Sequence, residues 1–187
     1  MKFKHCTIDL ETLGTRPTSA ITSIAVVMFD LEGNRKDFEV NVDLQSAMNA
    51  GMTVDGETIM WWMSQSKDAQ KALLDPKPVD LKIALMMVDQ FIRSYKGKGF
   101  TCWTHATFDA PILNYALSLV GVAPAIHYRE HRDIRTLTWL SSKLGLSESQ
   151  LKFPAGLTAH RALDDANNQA NYISDLLVNL GVNRVYE

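Results

Sequence analysis

The sequence has no excess of charge of either sign: 19 Lys and Arg stand against 21 Asp and Glu, a formal net charge of −2 over 187 residues. Without a global basic footprint, a polyanion could be held only locally, by metal ions and a few side chains. No apolar stretch is long enough to span a bilayer, and Met1-Lys2-Phe3-Lys4 runs directly into a strand pattern with no signal-peptide features, so the sequence predicts a cytoplasmic protein with no membrane partner. Cysteine is scarce. Cys6 and Cys102 lie in apolar alternating segments and match no metal-binding spacing, which predicts reduced, packed thiols in a reducing compartment. Repeats, low-complexity tracts and an interdomain linker are also missing, and 46% apolar content suits a single domain over 1–187.

Periodicity supplies the architecture. Lys4 to Glu11 alternates, with Cys6, Ile8 and Leu10 on one face and His5, Thr7, Asp9 and Glu11 on the other, as a strand does. Ile21 to Phe29 is more uniformly apolar and suits a central strand; Glu32-Gly33-Asn34 then turns the chain into a third strand around Phe38 to Val42. After Gly51 the pattern becomes helical, over Thr58 to Ser64, Lys67 to Leu74 and Val79 to Tyr95, with Gly97 and Gly99 ending the last. Phe100 to Thr104 predicts a buried strand leading into a helix from about Ala110 to Val120. Helices follow at Ile134 to Leu144 and Arg161 to Leu180, separated by a loop marked by Pro154 and Gly156. The expected fold class is α/β, three antiparallel strands first and then strands alternating with helices, in one mixed sheet flanked by helices.

Four acids and a histidine have the composition of a site for two hard divalent cations and a base beside a phosphodiester: Asp9, Glu11, Asp109, Asp165 and His160. Asp9 and Glu11 are two apart on a strand, so both carboxylates emerge on one face; a solvent-facing strand end would place them equally well. Asp109 follows a buried strand and precedes Pro111, a setting that also makes a good helix N-cap. In the last helix Asp165 lies roughly 60° from the apolar position Ala162 and borders the buried stripe, whereas Asp164 points nearly opposite and is expected to be solvated. His160 cannot share a helical face with Asp165, so it belongs on the preceding loop, as an ordinary exposed histidine or as a proton acceptor near neutrality. Trp61 and Trp62 are helix neighbours about 100° apart. One is expected in the core and the other beside a ligand, unless both only pack the helix on the sheet.

Taken together, these segments resemble the DEDD superfamily of 3′-to-5′ exonucleases, the proofreading-exonuclease and ribonuclease T group. Asp9-Leu10-Glu11-Thr12 looks like the first exonuclease motif, Phe108-Asp109 the core of the second, and His160 with Asp165 the third, with the spacing of the histidine (DEDDh) branch. Thr58 to Ser66 and Arg132-Asp133-Ile134-Arg135-Thr136 look like the subfamily containing the mycobacterial exoribonuclease RNase AS and phage exonuclease A. The chain departs from many relatives in having Thr104-His105-Ala106 where they have His-Asn-Ala.

The resemblance implies a ribonuclease H-like fold and two-metal hydrolysis of single-stranded RNA or DNA from a free 3′ end to nucleoside 5′-monophosphates. Asp9, Glu11, Asp109 and Asp165 would hold two Mg²⁺ or Mn²⁺ ions, and His160 would deprotonate the attacking water. It places Thr12 and Leu13 at the terminal-nucleotide site, beside Phe108 of the second motif, and extends to this chain the homodimer common among relatives; the asparagine contact of relatives does not carry over, and Trp61 or Trp62 by stacking on a base, His105 in the asparagine's place and Arg135 at a phosphate are the further substrate-binding candidates. Arg132 and Arg135 could equally be salt-bridged surface residues. Two other readings remain: a nucleic-acid-binding module that kept the fold without turnover, and a phosphatase or nucleotidase acting on small phosphate esters.

Overall fold

The computed structural model describes residues 1–74, 77–145 and 156–182. Its sheet contains an interior strand, β2 (Ile21–Phe29), whose nine residues are all buried. Alternate side chains of β2 enter two cores: Ile24, Val26 and Met28 on one face, Ala25, Val27 and Phe29 on the other. A strand covered on both faces must be apolar at every position, which is why this run shows no alternation. On either side of it lie β1 (Phe3–Thr12) and β3 (Arg35–Asn41), both antiparallel to β2. On the far side of β1, β4 (Lys96–Thr104) and β5 (His131–Asp133) continue the sheet in parallel, giving the order β3-β2-β1-β4-β5.

Helices cover both faces. The larger core joins Cys6, Ile8 and Leu10 of β1 to α1 (Leu44–Ala50), α4 (Leu81–Tyr95) and α5 (Asp109–Val120). The second core packs β2 and Trp103 against α6 (Ile134–Lys143) and α7 (Ala162–Asn179). Two shorter helices, α2 (Gly56–Ser64) and α3 (Lys67–Ala72), stand beside the loop that follows β1. Asp43, Asp55, Ser66, Asp80 and Asp133 cap α1, α2, α3, α4 and α6 by accepting backbone N–H groups of the first turn, so each of these starts is written in the sequence as a short polar residue at the cap.

Several expectations need correction. Helical structure begins before Gly51, at α1, and Gly51 is that helix's left-handed C-cap at φ 109°. Gly97 and Gly99 lie inside β4, because Lys96 is both the C-cap of α4 and the first residue of the strand. The three-residue edge strand β5 was not expected; it is too short to show a period. The predicted loop between α6 and α7 falls largely outside the described residues, Pro154 included. Cys6 and Cys102 are free, buried and opposite one another in the β1–β4 register.

Candidate active site

The face of β1 turned toward α7 carries Thr7, Asp9 and Glu11, all buried. Thr7 donates its hydroxyl to the carbonyl of Ala166 at 2.9 Å, which fixes α7 over this polar row. Asp165, in the first turn of α7, thereby meets Asp9 and Glu11, and ligand atoms of the three lie within 4.8 Å of one another. A second such group, also within 4.8 Å, consists of Asp9, His105 and Asp109. Asp9 belongs to both. Asp109 is almost wholly buried, and its carboxylate makes no capping bond to its own helix. It turns back to accept the N–H of Leu10 at 3.3 Å and that of His105 at 2.8 Å, so the N-cap alternative fails.

Among the described residues no lysine or arginine forms an ion pair with these four acids. The electrostatics follow from that. Burial pushes the Glu11 carboxyl up to about 8, with the charges of Asp165 and Asp109 adding to the effect. Burial and the neighbouring carboxylates also hold Asp9 well above the usual carboxylate range, against the opposing hydrogen bond from Gln169. Asp165 is raised by burial too. A buried cluster of hard oxygen donors with no protein counter-charge fits divalent cations of the Mg²⁺ or Mn²⁺ type.

His160 sits on the turn entering α7 with φ 64°, the one described non-glycine residue with positive φ. Its N–H donates to Oδ2 of Asp165 at 2.7 Å, so the carboxylate that joins the acidic cluster also fixes the histidine's backbone. The imidazole lies edge-on to Trp61, centroids 4.8 Å apart, and 6.2 Å from Trp62. Although helix neighbours point about 100° apart, both tryptophans approach this one partner, because the indole rings are large enough to converge on it. They divide the labour differently: Trp62 is buried and donates Nε1–H to the carbonyl of Thr12 at 2.9 Å, while Trp61 is 43% exposed.

Around the acids opens a cavity of about 680 Å³, within the range of small-ligand sites. Residues 4–177 match the family described as the 3′-5′ exoribonuclease Rv2179c-like domain. The chain belongs to this family. It is therefore a 3′-5′ exonuclease of the DEDD superfamily, with a ribonuclease H-like fold. No curated protein sequence matches the chain significantly. Similar solved structures include a full-length 3′-exonuclease, at 17% identity and TM-score 0.61 over 97% of this chain and 84% of that one. Exonuclease X in complex with 5′ overhanging duplex DNA is similar at 17% identity and TM-score 0.56, over 95% and 93% of the two chains. Exonuclease I from Methylocaldum szegediense aligns at 15% identity and TM-score 0.65, covering 94% of this chain and 40% of that longer one.

In this exonuclease the cavity is lined by Asp9, Glu11, Asp109, Asp165 and His160 together with Thr12, Trp61, Trp62, His105, Phe108 and Arg135. Leu13 is the exception among the expected residues. It packs with Trp62 and Ala69 in a small third core and is not among the lining side chains, since its neighbour Thr12 takes the cavity side. His105 sits 3.2 Å from Asp109 Oδ2 through Nδ1, so it borders the acids as well as the open space. Asp164 is not solvated: it accepts the N–H of Thr158 at 3.0 Å and lies 3.9 Å from Arg161. Arg132 donates to the carbonyls of Arg129 and His131, and only Arg135 of that pair reaches the cavity.

Sequence reasoning missed Gln169, Asp55, Glu57 and Thr58, which line the cavity together with Leu10 and with Gly14 and Thr15 of the loop after β1, a loop whose sequence suits hydrogen-bonding a ligand. Gln169 was findable: it lies one turn after Asp165, on the same face of α7, and donates Nε2–H to Asp9 Oδ1 at 2.6 Å. One more turn along, Tyr172 is buried, its phenol raised by burial and by the charges of Asp9, Asp109 and Asp165. Gly14 is required for a different reason, because a Cβ there would collide with the side chain of Ser19, which the 12–20 loop folds back against it.

Proposed function

We propose that this exonuclease removes nucleotides one at a time from the 3′ end of a single-stranded nucleic acid, releasing nucleoside 5′-monophosphates with the help of two divalent cations, Mg²⁺ or Mn²⁺. The observation that supports this best is the pair of ligand groups sharing Asp9 beneath a cavity that also holds His160. When bound, such ions supply Lewis acidity at the phosphate and neutralise charge on the leaving oxygen. Glu11 and Asp165 with Asp9 would hold one, and Asp109 with Asp9 the other, with His105 at its border.

The protein's own residues do the remaining work. His160 takes the proton of the attacking water as the new P–O bond forms. The bond from phosphorus to the upstream O3′ breaks, its electron pair stays on that oxygen, and a proton completes the new 3′-hydroxyl. Asp165 keeps the His160 loop in place through the backbone N–H, and the Trp61 ring limits where the imidazole can turn. Trp61 and Phe108 offer apolar surface to a terminal base, and Arg135 a cation to phosphate. The family's description names an exoribonuclease, which favours RNA, while exonuclease X was solved with DNA.

The reading rests on one domain, and two free, buried cysteines accord with a reducing cytoplasm. Among the described residues no helix is long and apolar enough to cross a membrane. The test is digestion of matched 5′-labelled single-stranded RNA and DNA with Mg²⁺ or Mn²⁺, beside Asp9→Ala and an EDTA control. A ladder shortening from the 3′ end, lost in both controls, is expected, with RNA the faster substrate. Binding without cleavage would favour the silent module, and release of inorganic phosphate from small esters would favour a phosphatase.

A further inference from the structure

α6 leaves the cavity wall at Arg135 and runs outward for two more turns. Its buried side is Ile134, Leu137 and Ser141, packed toward α7. Opposite that side, at four-residue steps of about 6 Å, stand Arg135, Trp139 and Lys143. Trp139 is 60% exposed, and its indole makes no hydrogen bond or ring contact among the described residues. A single exposed apolar side chain is ordinary on a protein surface; Trp139 is informative because a cation stands one turn to either side of it.

The charges around it say which kind. α6 carries two cations and no acid, in a chain whose net charge is −2. Asp133, just before the helix, is turned away from this face: its carboxylate accepts Ala106 N–H at 3.1 Å and Thr136 N–H at 3.0 Å. The first of those bonds also anchors the helix start to the turn that bears His105 and Phe108, so the strip is continuous with the cavity. A cation, an exposed aromatic ring and a second cation at one-turn spacing match a single strand, whose phosphates alternate with stackable bases.

We propose that Arg135, Trp139 and Lys143 form a track for the nucleotides upstream of the bond being cut, one base stacking on Trp139 and a backbone phosphate pairing with Lys143. The proposal rests on the exonuclease reading above and adds to it a binding surface that runs from Arg135 at the cavity wall to Trp139 and Lys143 beyond it. It gives the enzyme grip on strands longer than its terminal pocket, without reading their sequence.

The test compares a 5′-labelled 12-nucleotide RNA with a two-nucleotide ligand too short to reach beyond the cavity, in Ca²⁺, by fluorescence anisotropy. Trp139→Ala should weaken the longer ligand about 5- to 100-fold relative to the shorter, and Trp139→Phe should recover most of that. Lys143→Gln should reduce the slope of log affinity against log salt by about 0.7. Equal affinity of wild type and Trp139→Ala for the long strand overturns the track, as does an equal loss on both ligands. So does a change in oligomeric state by gel filtration without loss of RNA affinity, which would give this face to a second copy of the chain. Wild-type enzyme that shortens no strand at all would instead overturn the exonuclease reading, a result seen before any variant is made.

Discussion

The amide of Gln169 and the carboxylate of Asp9 meet at 2.6 Å, across 160 residues of chain. Among the described residues this is the one side-chain hydrogen bond given to the acid that both ligand groups share. Hydrogen bonds to a charged group are worth about 1.5–3 kcal/mol, and loss of a residue that orients a metal ligand typically costs 10- to 100-fold in metal affinity. Gln169→Leu is therefore expected to raise the Mg²⁺ concentration for half-maximal activity by about that factor. A metal titration of the nuclease rate checks it, and an unchanged midpoint would show that Asp9 needs no orienting partner.

His160 is expected to matter for turnover and little for metal loading, since it reaches the acids only through its backbone N–H. Loss of a general base costs about 10²- to 10⁴-fold. His160→Ala should show that loss in single-turnover cleavage while Mn²⁺ binding, followed by calorimetry, stays near wild type. Cleavage at the wild-type rate would remove the residue from the proton transfer.

The metal-free protein should weaken as the pH rises from about 6.5 to 8. Between its ordinary value of 4.5 and about 8, Glu11 holds a proton in the folded state that the unfolded chain has released, so stability falls as pH climbs through that window. His5 acts the other way: its imidazole is lowered to about 4 by burial, and its contribution rises with pH only up to about 6.5. Above 6.5 the acid dominates, by about 2 kcal/mol over 1.5 pH units, or on the order of 5 °C in Tm. Melting curves in EDTA should show the decline, Glu11→Gln should make it shallower without abolishing it, since Asp9 is raised as well, and Mn²⁺ should restore more stability at pH 8 than at 6.5. A flat profile in EDTA would mean that Glu11 is far better solvated than its burial indicates.

The two tryptophans should separate by property. Trp62 is buried and hydrogen-bonded to Thr12, so Trp62→Ala is expected to cost about 3–5 kcal/mol of stability. Trp61→Ala should leave Tm nearly unchanged and weaken oligonucleotide binding in Ca²⁺ by about fivefold or more. Unchanged affinity in both variants would end the stacking role.

Much of this site could be read from local rules. The two-residue spacing of Asp9 and Glu11 placed both on one sheet face, and the angular argument on the last helix turned Asp165 toward them, although it wrongly left Asp164 to solvent. What local rules could not give was partnership across the chain. Asp109 looked like an N-cap because its immediate neighbours are those of a cap; its real partners are the N–H of Leu10, on a different strand, and that of His105. Leu13 was expected beside Thr12 in the site, and only the docking of α2 shows that the two diverge. The strand β5 escaped notice because three residues carry no period and its pairing with β4 is set by the sheet.

The margins of the sheet have a consequence of their own. One is β3, whose Arg35, Lys36, Asp37 and Glu39 put four ionised groups along a seven-residue edge; the other is β5, three residues long and running straight into α6. Charged or very short borders resist recruiting a foreign strand, since a docking chain would have to bury those charges or find almost nothing to pair with. The wholly buried, apolar β2, which would be hazardous on a border, lies inside the sheet order instead, between β3 and β1. Fibrous aggregation by strand addition is thus disfavoured in the native state, and the hazard is confined to chains in which β2 has come loose from its neighbours.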